Sequence, residues 1–350
     1  MQMSYLDCLL SLLGLPKEFY DDYAFNYLKL LERYDSIKQS GKVTVNAANK
    51  VYMDYTFIAK ETYLSFTKIF YRASMDQVNF GNASAAAGTI NQYVNLKTQG
   101  KISNLLEPSD IDVDTVMALV NAIYFRGDWK TKFESWRTTS KPFTVNGQKF
   151  RHPETMMTNS YSYFKMGNVP ELNARVLELP YIDEEYRMLV FLPKSRKPNA
   201  VRDLDSRLRI YNVNSVDENL QYGLVIVQMP KFKASGKTKL SEVFKQLGIK
   251  TIFDPSLADL SNISNSKPYV QKIIHQAEVG VNEEGSEATA ATAVLRKQLS
   301  ASKVVFKRPR LFKVNRPFVF VIQDRSLGVP LFMGRIVDPS GQRKLAMSGR

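Results

Sequence analysis

The chain has one cysteine, Cys8, and two histidines, His152 and His275, among 350 residues. One thiol excludes an internal disulfide and the paired-cysteine sites that hold zinc. Two histidines leave little for a metal cage or a hydrolytic relay. No stretch approaches the roughly 20 apolar residues of a membrane-crossing helix. The apolar run around Leu9 and Leu13 has no basic residue before it, contains Asp7, and is followed by no small-residue cleavage site. It therefore reads poorly as a secretion signal.

Catalytic signatures are missing as well. There is no Gly-x-Ser-x-Gly elbow, no P-loop and no His-Glu-x-x-His. A nucleophile needs a base beside it, and Cys8 sits in an apolar, helix-like run where burial is expected. The expectation is a chain that is not an enzyme, with no catalytic residue, no resident metal and no cofactor. No zinc-finger spacing or RNA-recognition signature accompanies the basic charge, so nucleic acid is not an expected partner. Nor is a membrane. No internal repeat and no Pro/Gly/Ser linker divides the chain, and 44% apolar with 23% charged residues suits one large domain or two small ones.

Acids are locally scarce too. Between Arg296 and Arg316 stand Lys297, Lys303, Lys307, Arg308, Arg310 and Lys313 and no acidic residue, in a chain of net charge +14. This run reads either as a solvated loop or as a patch that steers an acidic protein or holds a sulfated polyanion. Asn82-Ala83-Ser84 and Asn262-Ile263-Ser264 fit the glycosylation triplet.

What is present is a stretch of small residues. Glu283-Glu284-Gly285 leads into Ser286, Glu287, Ala288, Thr289, Ala290, Ala291, Thr292 and Ala293. As a strand, one face would carry Ser286, Ala288, Ala290 and Thr292. Alanine and glycine have weak strand propensity, so by itself the segment reads as a loop. It lacks the lysine or proline that guards against strand addition.

Elsewhere the pattern alternates between strands and helices. Residues 7–40 read as helices. Lys42–Met53 reads as a strand and contains Ala48-Asn49-Lys50. Ser84 is the expected N-cap of a helix that buries Ile90, Tyr93 and Val94 and closes at Gly100. Val116–Phe125 is apolar except for Asn121 and reads as a strand buried on both faces, broken by Gly127-Asp128-Trp129. Further strands are expected at 175–179, 187–192 and 224–229. A helix over 240–248 should bury Leu240, Val243, Phe244 and Leu247. Tyr269–Val281 reads as a strand feeding the small-residue stretch. A lone histidine in such a strand, His275, is usually a hydrogen-bonded core residue.

Leu311-Phe312-Lys313-Val314-Asn315-Arg316-Pro317-Phe318-Val319-Phe320 and Leu331-Phe332-Met333-Gly334-Arg335-Ile336-Val337-Asp338-Pro339 resemble the C-terminal signature of the serpins. Ala48-Asn49-Lys50 and Pro230-Lys231-Phe232 are similar to further serpin strands. The Glu283–Thr292 run resembles the hinge of an inhibitory serpin's reactive loop. The resemblance implies an α+β serpin fold: a large, mostly antiparallel central sheet, two smaller sheets, about seven to nine helices and an exposed reactive loop. It implies one domain over 1–350, with the reactive loop at 283–308.

Function follows from the same resemblance. A serine protease cleaves the loop and forms an acyl-enzyme. The freed loop then inserts into the central sheet as a new strand, trapping the ester in a covalent complex with a monomeric inhibitor. The family's spacing from Gly285 places the reactive bond at Leu299–Ser300, which favours chymotrypsin-like or elastase-like targets. A shorter register gives Gln298, Lys297 or Arg296, and the last two favour trypsin-like enzymes. Glu283, Gly285, Ser286, Glu287, Ala288, Ala290, Ala291 and Thr292 take the hinge role. Asn121 and His275 match the pair beneath the sheet that controls strand parting, and Trp129 marks the breach. A non-inhibitory serpin that binds, carries or stores is the alternative. An extracellular location is expected from the family, with the cytoplasm as the alternative. The resemblance covers residues 7–339. The helices that precede them in the family, one carrying a serine of the Asn121–His275 cluster, have no match here. Lower stability than a complete serpin is therefore expected.

Overall fold

The computed structural model describes residues 28, 31–32, 43–145, 148–151, 156–159, 162–286 and 308–340. They form two compact units. The first comprises residues up to Tyr124 plus Ser235–Glu278, and the second Phe125–Ala234 plus the chain from Val279 onward.

In the first unit, β1 (Val43–Asp54) pairs in parallel with β2 (Ser74–Val78), and α1 (Glu61–Phe70) connects them. α2 (Ala83–Lys97) precedes β3 (Met117–Asp128), and β11 (Phe232–Lys239), α4 (Leu240–Gln246) and β12 (Lys272–Val281) return to the same sheet. The order is β11-β12-β3-β1-β2, with the two-residue β13 (Gly285–Ser286) added to β3 off that path. The 3.6-residue period puts Ala86, Ala87, Ile90 and Val94 of α2 on one stripe. That stripe buries Ala48 and Tyr52 of β1, Ala118, Val120 and Ala122 of β3, and Ile274 of β12. Burying each large aliphatic side chain contributes about 1.5–3 kcal/mol. The opposite sheet residues Met53, Met117 and Ile273 pack on Ile249, Ile252, Leu260 and Val270.

The second unit is built on an eight-stranded sheet. β4 (Pro142–Val145) and β5 (Gln148–Arg151) pair with each other as a separate two-stranded sheet. β6 (Met156–Thr158), β7 (Ser162–Val169), β8 (Ala174–Pro180), β9 (Tyr186–Pro193), β10 (Leu220–Pro230), β14 (Arg310–Lys313), β15 (Phe318–Asp324) and β16 (Val329–Ile336) make the large sheet. Its order is β14-β10-β7-β8-β9-β15-β16, with β6 on β10. β15 is buried at every position because β9 and β16 flank it and α3 (Ala200–Leu208) covers Val319 and Val321 through Val201, Leu204 and Leu208. Phe232 packs on Phe318 and Phe320 at 5.5 and 5.3 Å, so the Pro-Lys-Phe and C-terminal motifs share a core.

Several sequence expectations change. Asn82, not Ser84, caps α2, because its Oδ1 accepts from Ala85 N at 3.1 Å while Ser84 already lies inside the helix. β3 continues through Gly127 to Asp128 instead of breaking there, since β13 pairs with those residues. α4 turns Leu240 and Phe244 to the core but leaves Val243 and Leu247 exposed. The expected α+β arrangement of a central sheet with a second, curved sheet is present.

Candidate functional site

Where β12 ends, a short turn leads into β13. Asn282 folds the turn: its Oδ1 accepts from Glu284 N and Gly285 N at 3.0 and 3.2 Å, and its backbone N donates to Gly285 O at 2.9 Å. An asparagine side chain satisfies backbone donors in this way at tight turns. β13 then lies antiparallel to β3, with Gly285 opposite Asp128 and Ser286 opposite Gly127. A Cβ at Gly285 would sit 2.0 Å from Gly127 O and 2.7 Å from Asp128 Cα, so only glycine permits this approach.

The segment after β3 closes over the turn. Trp129 N donates to Glu284 O at 2.8 Å, Phe133 N to Glu283 O at 2.9 Å, and Trp129 Nε1 to Asn282 O at 3.0 Å. The Trp129 indole stacks on Tyr181 at 4.7 Å and 15°. Tyr181 OH meets Ser286 Oγ at 2.7 Å in a fully buried contact. Burial pushes the Tyr181 phenol far up, so it stays neutral beside Ser286.

Both acids of the turn are anchored. Glu283 Oε1 accepts from Thr138 Oγ1 at 2.6 Å and pairs with Lys231 Nζ at 2.9 Å. Burial pushes its carboxyl up, but Thr138 and Lys231 outweigh that and hold it below the usual range. Glu284 pairs with Lys132 at 2.6 Å, and this bond, opposed by burial, raises the Lys132 ammonium. Glu283, Gly285 and Ser286 are thus buried and fixed, where the residue types alone suggested a loop.

The first unit holds the other predicted constellation. His275 on β12 meets Asn121 on β3 through Nδ1 and the amide Oδ1, and Asn121 Nδ2 donates to Asn49 Oδ1 on β1. Donation to that oxygen requires a proton on Nδ1, which the neutral Nδ1-protonated tautomer supplies. Burial lowers the His275 imidazole, which favours the same form. One line of side chains therefore ties three adjacent strands. Asn49 was missed as a member. Its signal was the alternation of β1, but no spacing rule connects Asn49 to Asn121.

The other predicted site residues, Glu287, Ala288, Ala290, Ala291 and Thr292 of the hinge and Arg296, Lys297, Gln298, Leu299 and Ser300 around the reactive bond, lie outside the described residues, as do Cys8, His152 and the helices expected over most of 7–40. Among the described residues no group of three or more His, Cys, Asp or Glu could hold a metal. No described helix is long and apolar enough to cross a membrane.

Gly285 and Ser286 are thus clamped to β3, and in sequence they precede the small residues of 288–293. Residues 6–339 match the family model described as Serpin (serine protease inhibitor), and the chain belongs to the serpin family. Several relatives are named as elastase inhibitors, and this chain is a serine protease inhibitor, not an enzyme. Human leukocyte elastase inhibitor is 36% identical over 311 residues, which span 87% of this chain and 80% of the relative. The Xenopus laevis leukocyte elastase inhibitor is 33% identical over 306 residues, 86% of this chain and 79% of the relative. Native protease nexin-1, solved with heparin, superposes with a TM-score of 0.81 at 28% identity, covering 96% of this chain and 86% of that one.

Proposed function

We propose that the chain is one inhibitory domain whose reactive loop, residues 283–308, traps a chymotrypsin-like or elastase-like serine protease at Leu299–Ser300. The observation that carries this reading is β13: Gly285 and Ser286 already pair with β3, so the small residues from Glu287 to Thr292 follow a strand that has begun to form. After cleavage each further residue gains ladder hydrogen bonds and buries its side chain, while the acyl-enzyme is carried along as a covalent complex. Before cleavage the fold is a kinetic trap. The names of the elastase-inhibitor relatives support an apolar primary pocket in the target. Asn121, His275 and Asn49 hold β12 and β3 together until insertion parts them, and Trp129 stands at the entrance. The inhibitor acts as a monomer, one loop to one protease.

The test is incubation with chymotrypsin, elastase and trypsin separately. The expected result is an SDS-stable complex with the first two and a released peptide beginning at Ser300. A peptide beginning at Lys297, Gln298 or Leu299 moves the reactive bond to Arg296, Lys297 or Gln298. Cleavage without any complex refutes inhibition and leaves a non-inhibitory binding or storage role.

A further inference from the structure

Three cations of the second unit, Arg316, Arg175 and Lys141, are lowered by burial and by neighbouring cations. Burial lowers the Arg316 guanidinium to about 10, with Arg196 and Arg175 adding to the shift. Arg175 is lowered by burial and by Arg310, and Lys141 by burial and by Lys313. Their described bonds go to uncharged oxygens. Arg316 donates to Pro193 O and Asn315 Oδ1, Arg175 to Leu311 O at 2.8 Å, Arg310 to Gln221 O at 3.1 Å, and Lys141 to Thr158 Oγ1 at 3.2 Å. The arginine ion pairs described in this unit use Arg137, Arg187, Arg209, Arg325 and Arg335 instead. Clustered cations that lack acidic partners in their described bonds repel one another and carry a desolvation cost, which the attraction of a bound anion offsets.

Part of this group of cations borders a cleft. Arg316, on the link from β14 to β15, and Arg196 and Lys197, on the link from β9 to α3, border a cleft of about 260 Å³ together with Ser195, Asn315 and Thr144. At a water's share of roughly 30 Å³, the cleft has room for several oxyanion groups. Arginine forks match phosphate oxygens two at a time. Arg310, Lys313 and Arg316 belong to the basic run seen in the sequence. Lys141, Arg175, Arg196 and Lys197 come from distant segments and face no acid in the described bonds. We infer that this cleft binds a compact polyphosphate, a small molecule carrying several phosphate groups.

The experiment is calorimetric titration of the full chain with inositol hexakisphosphate at about 0.15 M ionic strength. Arg196 and Lys197 are exposed, so the double variant Arg196→Glu/Lys197→Glu should keep its unliganded thermal midpoint; if it does not, Arg196→Gln alone serves. Saturable binding is expected, weakened about tenfold or more in the variant and unchanged in Lys250→Glu, a control on an exposed cation of the other unit. No saturable binding, equal affinity in the Arg196/Lys197 variant, or affinity no greater than for inorganic phosphate overturns the assignment. Binding of a sulfated polysaccharide without binding of inositol hexakisphosphate overturns the compact-ligand reading.

Discussion

Replacing Ser286 with arginine should convert the inhibitor into a substrate. Ser286 is fully buried, bonds Tyr181 and pairs with Gly127. A buried, unpaired guanidinium costs several kcal/mol. The cheaper response is for β13 to leave β3, forfeiting its hydrogen bonds at about 1 kcal/mol each. Loss of the ladder pairing and the hydroxyl contact adds about 2–3 kcal/mol to the insertion barrier, slowing insertion about 30- to 150-fold. Hydrolysis of the acyl bond is unaffected, so the stoichiometry of inhibition, near unity for an efficient trap, should rise at least about tenfold. Titration of chymotrypsin activity against inhibitor reads this number, and an SDS gel should show cleaved, uncomplexed chain. Ser286→Ala, which loses only the hydroxyl bond, should stay within about twofold. An unchanged stoichiometry and full complex yield in a folded Ser286→Arg protein would refute the hinge assignment.

Gly285→Ala should also open β13, because its Cβ meets backbone that cannot yield; faster proteolytic nicking after Glu283 or Glu284 by a Glu-specific protease checks this. Trp129→Phe loses the bond to Asn282 O and part of the stack on Tyr181, about 1–2 kcal/mol by chemical denaturation. Burial lowers the His275 imidazole, so the unfolded chain takes up that proton first as pH falls. Its contribution is complete above the unfolded pKa of about 6.5 and shrinks below it. His275→Phe should lack that slope and, at pH 8, be about 1–3 kcal/mol less stable because the Asn121 oxygen loses its donor. Glu283 is held low, so its contribution is present above the unfolded carboxylate range and lost as pH falls through its folded pKa; Glu283→Gln should flatten the acid limb of a stability–pH curve.

Much of the site was legible because local physics fixed it. Gly285 stood out as a glycine before a run of small residues interrupted only by Glu287, and Ser286 on the face able to enter a sheet. Asn121 was conspicuous as the one polar residue in an apolar strand, which demands a partner. His275 lay in a strand of the right alternation. The partners themselves were not legible. Asn49 reaches Asn121 across 72 positions, and Tyr181 reaches Ser286 across 105. Asn82 displaced Ser84 as the cap because helix start depends on the chain's approach as well as on residue type. Val243 and Leu247 share the helical stripe of Leu240 and Phe244, yet the core ends before reaching them.

By itself the sequence determined the kind of elements and, through its C-terminal motifs, the family. Those properties rest on side-chain period, size and charge, which act within a few residues. Only the tertiary structure decided that Gly285 and Ser286 form a strand on β3, that Glu283 is held by Thr138 and Lys231, and that Arg316, Arg196 and Lys197 share a cleft. Pairing and charge clustering between distant segments depend on which backbones the fold brings side by side, and no local preference encodes that.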